Sequence, residues 1–163
     1  MSVSFVQHRI QAEARARKLA LERSATTEVR IADIYKYFPF RLFGLNRDAL
    51  QDLARIEFDA ELELCRVNPE MLEQYIYMKR GGFRTGFISD TYWNTDQLAQ
   101  LLRSCSPGLT WDFLYASCDH GSSKSEALCS WALRSGLAEA ELSDLQRAEA
   151  RRLFARRGAV LED

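Results

Sequence analysis

Apolar positions follow one rhythm up to about residue 80 and another beyond it. In the first stretch they recur at three- and four-residue spacing, the mark of helices with one buried face. Phe5, Ile10, Ala12, Ala16, Leu19 and Ala20, set among charges, predict a helix over 4–23, and the polar break from Ser24 to Glu28 ends it. Ile31 to Phe38 predicts a brief helix, with Pro39 and Gly44 marking the turn that follows. Leu50, Leu53, Phe58, Leu62 and Cys65 place one apolar face on a helix over 48–66. Asn68 as a cap and Pro69 at the first helical position open a further helix, which should close at Gly81 in a left-handed conformation.

Beyond Gly81 the pattern alternates. Two short apolar runs, Phe83 to Ile88 and Trp111 to Ala116, read as strands, and each leads into a polar turn, Ser89-Asp90-Thr91 and Ser117-Cys118-Asp119. Between them Asn94 and Gln97 form a capping pair ahead of Leu98, Leu101, Leu102 and Cys105 at one-face spacing. After the second run Ser123 and Glu126 form a capping box, which places Lys124 in the first turn of a helix whose inner face carries Leu128, Trp131 and Ala132. Strand, turn and helix in succession predict a parallel sheet, on which ligands sit outside the carboxyl ends of the strands. The expected fold class is therefore α/β, with a helical region over 1–66, an α/β region over 67–135 and a C-terminal helical segment over 136–163.

Composition narrows the function without choosing it. The chain has 163 residues, 47% of them apolar, and a net charge of -1, which argues against a broad electrostatic grip on nucleic acid or an acidic membrane. No apolar run reaches the ~20 residues of a membrane span, and the N-terminal stretch lacks the apolar segment of a secretory signal, so a cytoplasmic location is expected. Cys65, Cys105, Cys118 and Cys129 are widely spaced, form no Cys-x-x-Cys pair and have only His8 and His120 to assist, which suits free thiols better than a thiolate metal site. Arg147, Arg151, Arg152, Arg156 and Arg157 make a basic face near the end, tempered by Asp144, Glu149, Glu162 and Asp163. Backbone N–H groups at the start of the Lys124 helix, with the ammonium beside them, suit an anion such as phosphate.

Phe87-Ile88-Ser89-Asp90-Thr91-Tyr92, followed about thirty-five residues on by Ser-Ser-Lys, resembles the second and third motifs of the haloacid-dehalogenase-like (HAD) phosphohydrolases. The resemblance is closest to a bacterial subgroup found beside polysaccharide and glycosyltransferase genes. Upstream, Arg9, Ala12, Glu13, Ala16 and Arg17, then Asp33-Ile34-Tyr35, then Glu57 and Glu61 resemble that subgroup's helical cap. The resemblance implies a partial Rossmann-like core of parallel strands with flanking helices plus an all-helical cap. It also implies that Ser89 hydrogen-bonds a phosphoryl oxygen and that Lys124 offsets charge on the transferring group, an electrostatic role suited to phosphoryl transfer. Asp90 and Thr91, with Asp119 after the second strand, are further candidate site residues. Asp90 would orient the turn or a substrate hydroxyl rather than attack. The implied ligand is a phosphorylated small molecule such as a sugar phosphate, and the implied cofactor is Mg2+.

The departures from the family pattern bear on chemistry. The family's nucleophile and acid/base form an Asp-x-Asp pair after an initial strand, and a later acidic motif helps to hold magnesium; the chain contains no Asp-x-Asp, and residues 136–163 offer Asp144 but no strand ending in Gly-Asp. The most demanding phosphate-ester hydrolyses require about 28 kcal/mol of barrier lowering. Charge-assisted contacts from Ser89 and Lys124 supply about 3–6 kcal/mol. The expectation is thus a fragment or truncated form, inactive alone and completed by a second copy of the chain or another polypeptide. The alternative is a non-catalytic protein-interaction module, with Arg9, Glu13, Arg17, Glu57 and Glu61 as its contacts.

Overall fold

The computed structural model describes residues 4–123. Lys124, Glu126, Cys129 and the segment 136–163 lie outside the described residues. The chain begins with α1 (Phe5–Ser24), where the Ser4 hydroxyl accepts from the Gln7 amide while the Gln7 side chain accepts from Ser4, a reciprocal cap that satisfies two otherwise orphaned donors. A short α2 (Ile31–Tyr35) and a 3-10 turn (Phe40–Phe43) follow, then α3 (Ala49–Leu64) and α4 (Pro69–Arg80). Asn68 caps α4 through its side-chain oxygen, and Pro69 occupies the first helical position, where its missing N–H costs nothing. The left-handed residue falls at Gly82 (φ 79°) rather than Gly81 (φ -74°), because Gly81 still bonds back to Tyr77 within the helical register.

The two strands are parallel neighbours: β1 (Gly86–Ser89) pairs with β2 (Phe113–Ala116), with Gly86 opposite Phe113 and Ser89 opposite Ala116. Both are shorter at their starts than the apolar runs suggested. The physical reason is a side-chain clamp: Asp112 accepts from the Thr85 amide at 2.7 Å, while its own amide donates to the Thr85 carbonyl at 2.7 Å, so the ladder begins only beyond them. The crossover between the strands is α5 (Thr95–Cys105), with the expected Asn94–Gln97 capping box in place. Ser117-Cys118-Asp119 is not a turn. It forms a four-residue helix, α6 (Ser117–His120), closed by Gly121 at φ 62°. Among the described residues the architecture is mainly helical with a small two-stranded parallel sheet, an α/β arrangement in its coarse form.

The core draws on both halves of the chain. Ala12 and Ala16 of α1, Ile31, Ile34 and Tyr35 of α2, and Phe58 of α3 pack with Trp93 and Leu101, which flank and line α5. Phe58 and Trp93 meet with ring centroids 5.0 Å apart. The amide of Ile31 also donates to the Tyr92 carbonyl at 3.0 Å, so the start of α2 is tied to the loop that leaves β1. No described helix is long and apolar enough to cross a membrane.

Candidate functional site

Pairing of Ser89 with Ala116 brings the two polar segments to the same end of the sheet. Ser89 is half-buried at the last position of β1, and the next residue, Asp90, is exposed. Thr91 turns inward and is held from both sides: its amide donates to the Ser117 hydroxyl at 3.0 Å, and that hydroxyl donates to the Thr91 carbonyl at 3.3 Å. The Thr91 hydroxyl in turn accepts from the Trp93 amide at 3.1 Å. Ser117 is fully buried, and as the bridge between the strand ends it is a position that sequence reasoning missed. A serine directly after a strand was visible; its partner lies 26 residues away.

Asp119 is brought to this end of the sheet but is spent on structure. One carboxylate oxygen accepts from the Thr95 amide (2.7 Å) and hydroxyl (2.8 Å), and the other pairs with Arg30 at 3.0 Å. Burial pushes its pKa up, yet the two Thr95 hydrogen bonds and the Arg30 charge outweigh it and hold the carboxyl below its ordinary value. Such a group braces α5 against α6 and is poorly placed to attack a substrate. Cys118 donates to the Trp93 carbonyl at 3.3 Å, and burial, followed by the Asp119 charge, pushes its thiol up to about 11. It is a structural thiol rather than a nucleophile.

A cleft of about 700 Å³ opens beside this strand end, between β1, α4 and α5. Ser89, Asp90 and Thr91 line it, together with apolar side chains that include Leu72, Phe87 and Leu98. A second cavity, about 560 Å³ between α2 and α3, contains none of the candidate residues. Lys124 falls outside the described residues, so its approach to Ser89 has no described geometry. The family resemblance implies magnesium, but among the described residues no three His, Cys, Asp or Glu side chains stand together as a metal site. With Asp119 committed to Thr95 and Arg30, the described residues do not fit one.

The charged residues that resemble the helical cap form a connected network. Arg9, 9% exposed, donates to both oxygens of Glu57 at 2.8 and 2.7 Å, in the two-pronged geometry that suits guanidinium and carboxylate, and reaches Glu13 at 3.0 Å. Tyr35 donates to Glu57 at 2.7 Å, and Arg17 bridges Glu13 and the Thr27 carbonyl, each at 2.9 Å. Arg9 also lies over the rings of Tyr35 and Tyr92, at 5.6 and 5.1 Å. Burial works against the charge on Glu57, but Arg9 and then Tyr35 hold its pKa below the ordinary value, while burial and Glu57 push Tyr92 up to about 12. These side chains face one another across α1, α2 and α3. Of the five residues in the interaction reading, Arg9, Glu13, Arg17 and Glu57 are engaged here, and Glu61 accepts from the Cys65 thiol at 3.5 Å beside the cleft.

In comparison with known families, a family model described as "Domain of unknown function (DUF6902)" matches residues 115–162. That match begins inside β2, takes in α6 and continues past the described residues. No curated protein matches the chain.

Proposed function

We propose that this chain carries the phosphate-binding half of a haloacid-dehalogenase-like phosphohydrolase site, formed by Ser89 at the end of β1 and Lys124 beyond β2. The observation that carries the reading is the register: Ser89 stands opposite Ala116 in a parallel pair, so the segment leading to Lys124 leaves from the same end of the sheet as the Ser89 turn. Hydroxyl and ammonium are suited to bind a phosphoryl group and to offset its charge, which is the electrostatic share of phosphoryl transfer. The nucleophile and the carboxylates that hold magnesium would come from a completing polypeptide. Alone, the chain binds phosphate and does not hydrolyse its esters.

Calorimetric titration with inorganic phosphate tests this reading. Binding that is lost in Lys124→Ala and weakened about tenfold in Ser89→Ala is the expected result; phosphate binding indifferent to both changes would refute it. Reading the DNA upstream of the Met1 codon for a short apolar strand followed by Asp-x-Asp separately tests whether the completing segment is encoded next to this one.

A second reading, a non-catalytic interaction module, is favoured by one specific observation. Asp119, three residues past the end of β2, is consumed by Thr95 and Arg30. This reading expects a protein partner that co-purifies in fixed stoichiometry and whose retention is unaffected by Lys124→Ala.

A further inference from the structure

We infer that the second cavity, about 560 Å³ between α2 and α3, binds an organic monoanion: a carboxylate carried on an apolar body. The inference stands apart from the half-site reading, since Ser89 does not line this cavity. Its α3 wall carries two neighbouring rows at four-residue spacing. Leu50, Ala54 and Phe58 form an apolar row, and Arg47, Gln51 and Arg55 form a polar row beside it. Residues four apart on a helix lie one above the other, so the two rows run side by side along the cavity. Arg47 joins its row from the lead-in turn, where its carbonyl accepts from the Leu50 amide at 3.2 Å. The facing wall gives Tyr35 and Lys36 from α2, with Phe40 from the 3-10 turn.

The charges on the walls set the charge of the ligand. Lys36 is paired with Asp33, and Arg55 with Asp52 at 3.3 Å, while among the described residues no carboxylate lines the cavity. Arg47 has no ion-pair partner among the described residues, so one positive charge is left to be matched. A guanidinium meets a planar carboxylate through two parallel hydrogen bonds, and Gln51 stands next to it in the same row. The apolar row is backed by the core: Phe58 is 8% exposed and rests on the Trp93 ring, with centroids 5.0 Å apart. Each methylene that a ligand lays on this row leaves water favourably, and the volume lies within the ordinary range for small-molecule sites. A small inorganic anion gains nothing from the apolar row, and a neutral alcohol gains nothing from the charge on Arg47. A monocarboxylate with an alkyl or aromatic body uses both.

Four probes separate the possibilities: octanoate, n-octanol, n-octylammonium and acetate, each titrated calorimetrically into the full chain. The expected result is octanoate binding at least tenfold tighter than any of the other three. Arg47→Gln, a change at an exposed position, should weaken octanoate about tenfold and leave n-octanol unchanged. Ala32→Trp, at an exposed position of the α2 wall, fills the cavity and should abolish octanoate binding; Ala54→Trp serves the same purpose if the first variant fails to fold by circular dichroism. n-Octanol or n-octylammonium binding as tightly as octanoate removes the role of the cation and overturns the inference. Acetate binding as tightly removes the role of the apolar row and overturns it equally. Octanoate binding that is absent, or that is undiminished in Arg47→Gln or in a folded cavity-filling variant, also overturns it.

Discussion

A single carboxylate, Asp119, satisfies the first amide of α5 and pairs with Arg30, so its loss leaves a helix start and a cation unpartnered at once. Asp119→Ala is expected to cost about 1–2 kcal/mol, the usual range for a lost helix cap, measured by urea denaturation. Its folded pKa lies below the unfolded value, as does that of Glu57. In the interval between the two values the unfolded chain binds more protons. The stability contributed by these groups is therefore complete above the ordinary carboxylate pKa of about 4 and is lost as pH falls through the folded values. Asp119→Asn should flatten that acid limb; an unchanged slope from pH 5 to 2 would show that the Thr95 and Arg30 contacts do not hold in solution. Residue-scale reading of the sequence failed most plainly on α1. Ile10 falls on the predicted apolar stripe yet is 61% exposed, while Arg9 beside it is 9% exposed. Hydrophobicity alone ranks isoleucine first, but an arginine whose carboxylate partners, Glu57 and Glu13, stand on and across from its own helix can take the inner face, and sequence periodicity carries no record of that partner.

Elements were legible where their signals were local. Asn94 with Gln97, and Asn68 with Pro69, mark helix starts within three or four residues, and the structure places α5 and α4 there. Strand limits depended instead on pairing across the crossover, where Asp112 and Thr85 set the first rung, and no local pattern encodes that distance. β1 has a strict demand at its first residue. A Cβ at Gly86 would collide with the Phe113 carbonyl and ring across the ladder, and backbone cannot move aside as a flexible side chain can. Gly86→Ala is expected to destabilise by about 1–3 kcal/mol through overpacking, seen as a lower urea midpoint with unchanged m-value. Between α1 and α3, Glu57→Gln should cost about 2 kcal/mol, below the ~3–5 of a fully enclosed pair because Glu57 keeps some contact with water. An Arg9→Met, Glu57→Gln double variant should recover part of that loss, since it removes the stranded charge.

For the whole molecule, the coarse α/β order was legible and the candidate site only in part: Ser89 and the second polar segment share a sheet end, but the lock between them, Ser117 on Thr91, was not foreseen. Among the described residues β1 has a strand on one side alone, and two-stranded sheets are marginal in water without further cover. The purified chain is expected to elute as a dimer or larger species in size-exclusion chromatography and to show no magnesium-dependent hydrolysis of p-nitrophenyl phosphate. A monodisperse monomer that turns over the ester would sink the half-site reading. The Ile31 amide donates to the Tyr92 carbonyl, and Arg30, one residue earlier, pairs with Asp119. These two stitches fasten the start of α2 to the segments that follow β1 and β2, so a swing of α2 away from the strand ends would have to break both. The cleft is already open to solvent, so a ligand can enter without that motion. Deuterium exchange at Ile31 should then be as slow as exchange at the β1 and β2 amides, a shared clock that a hinged molecule would not keep.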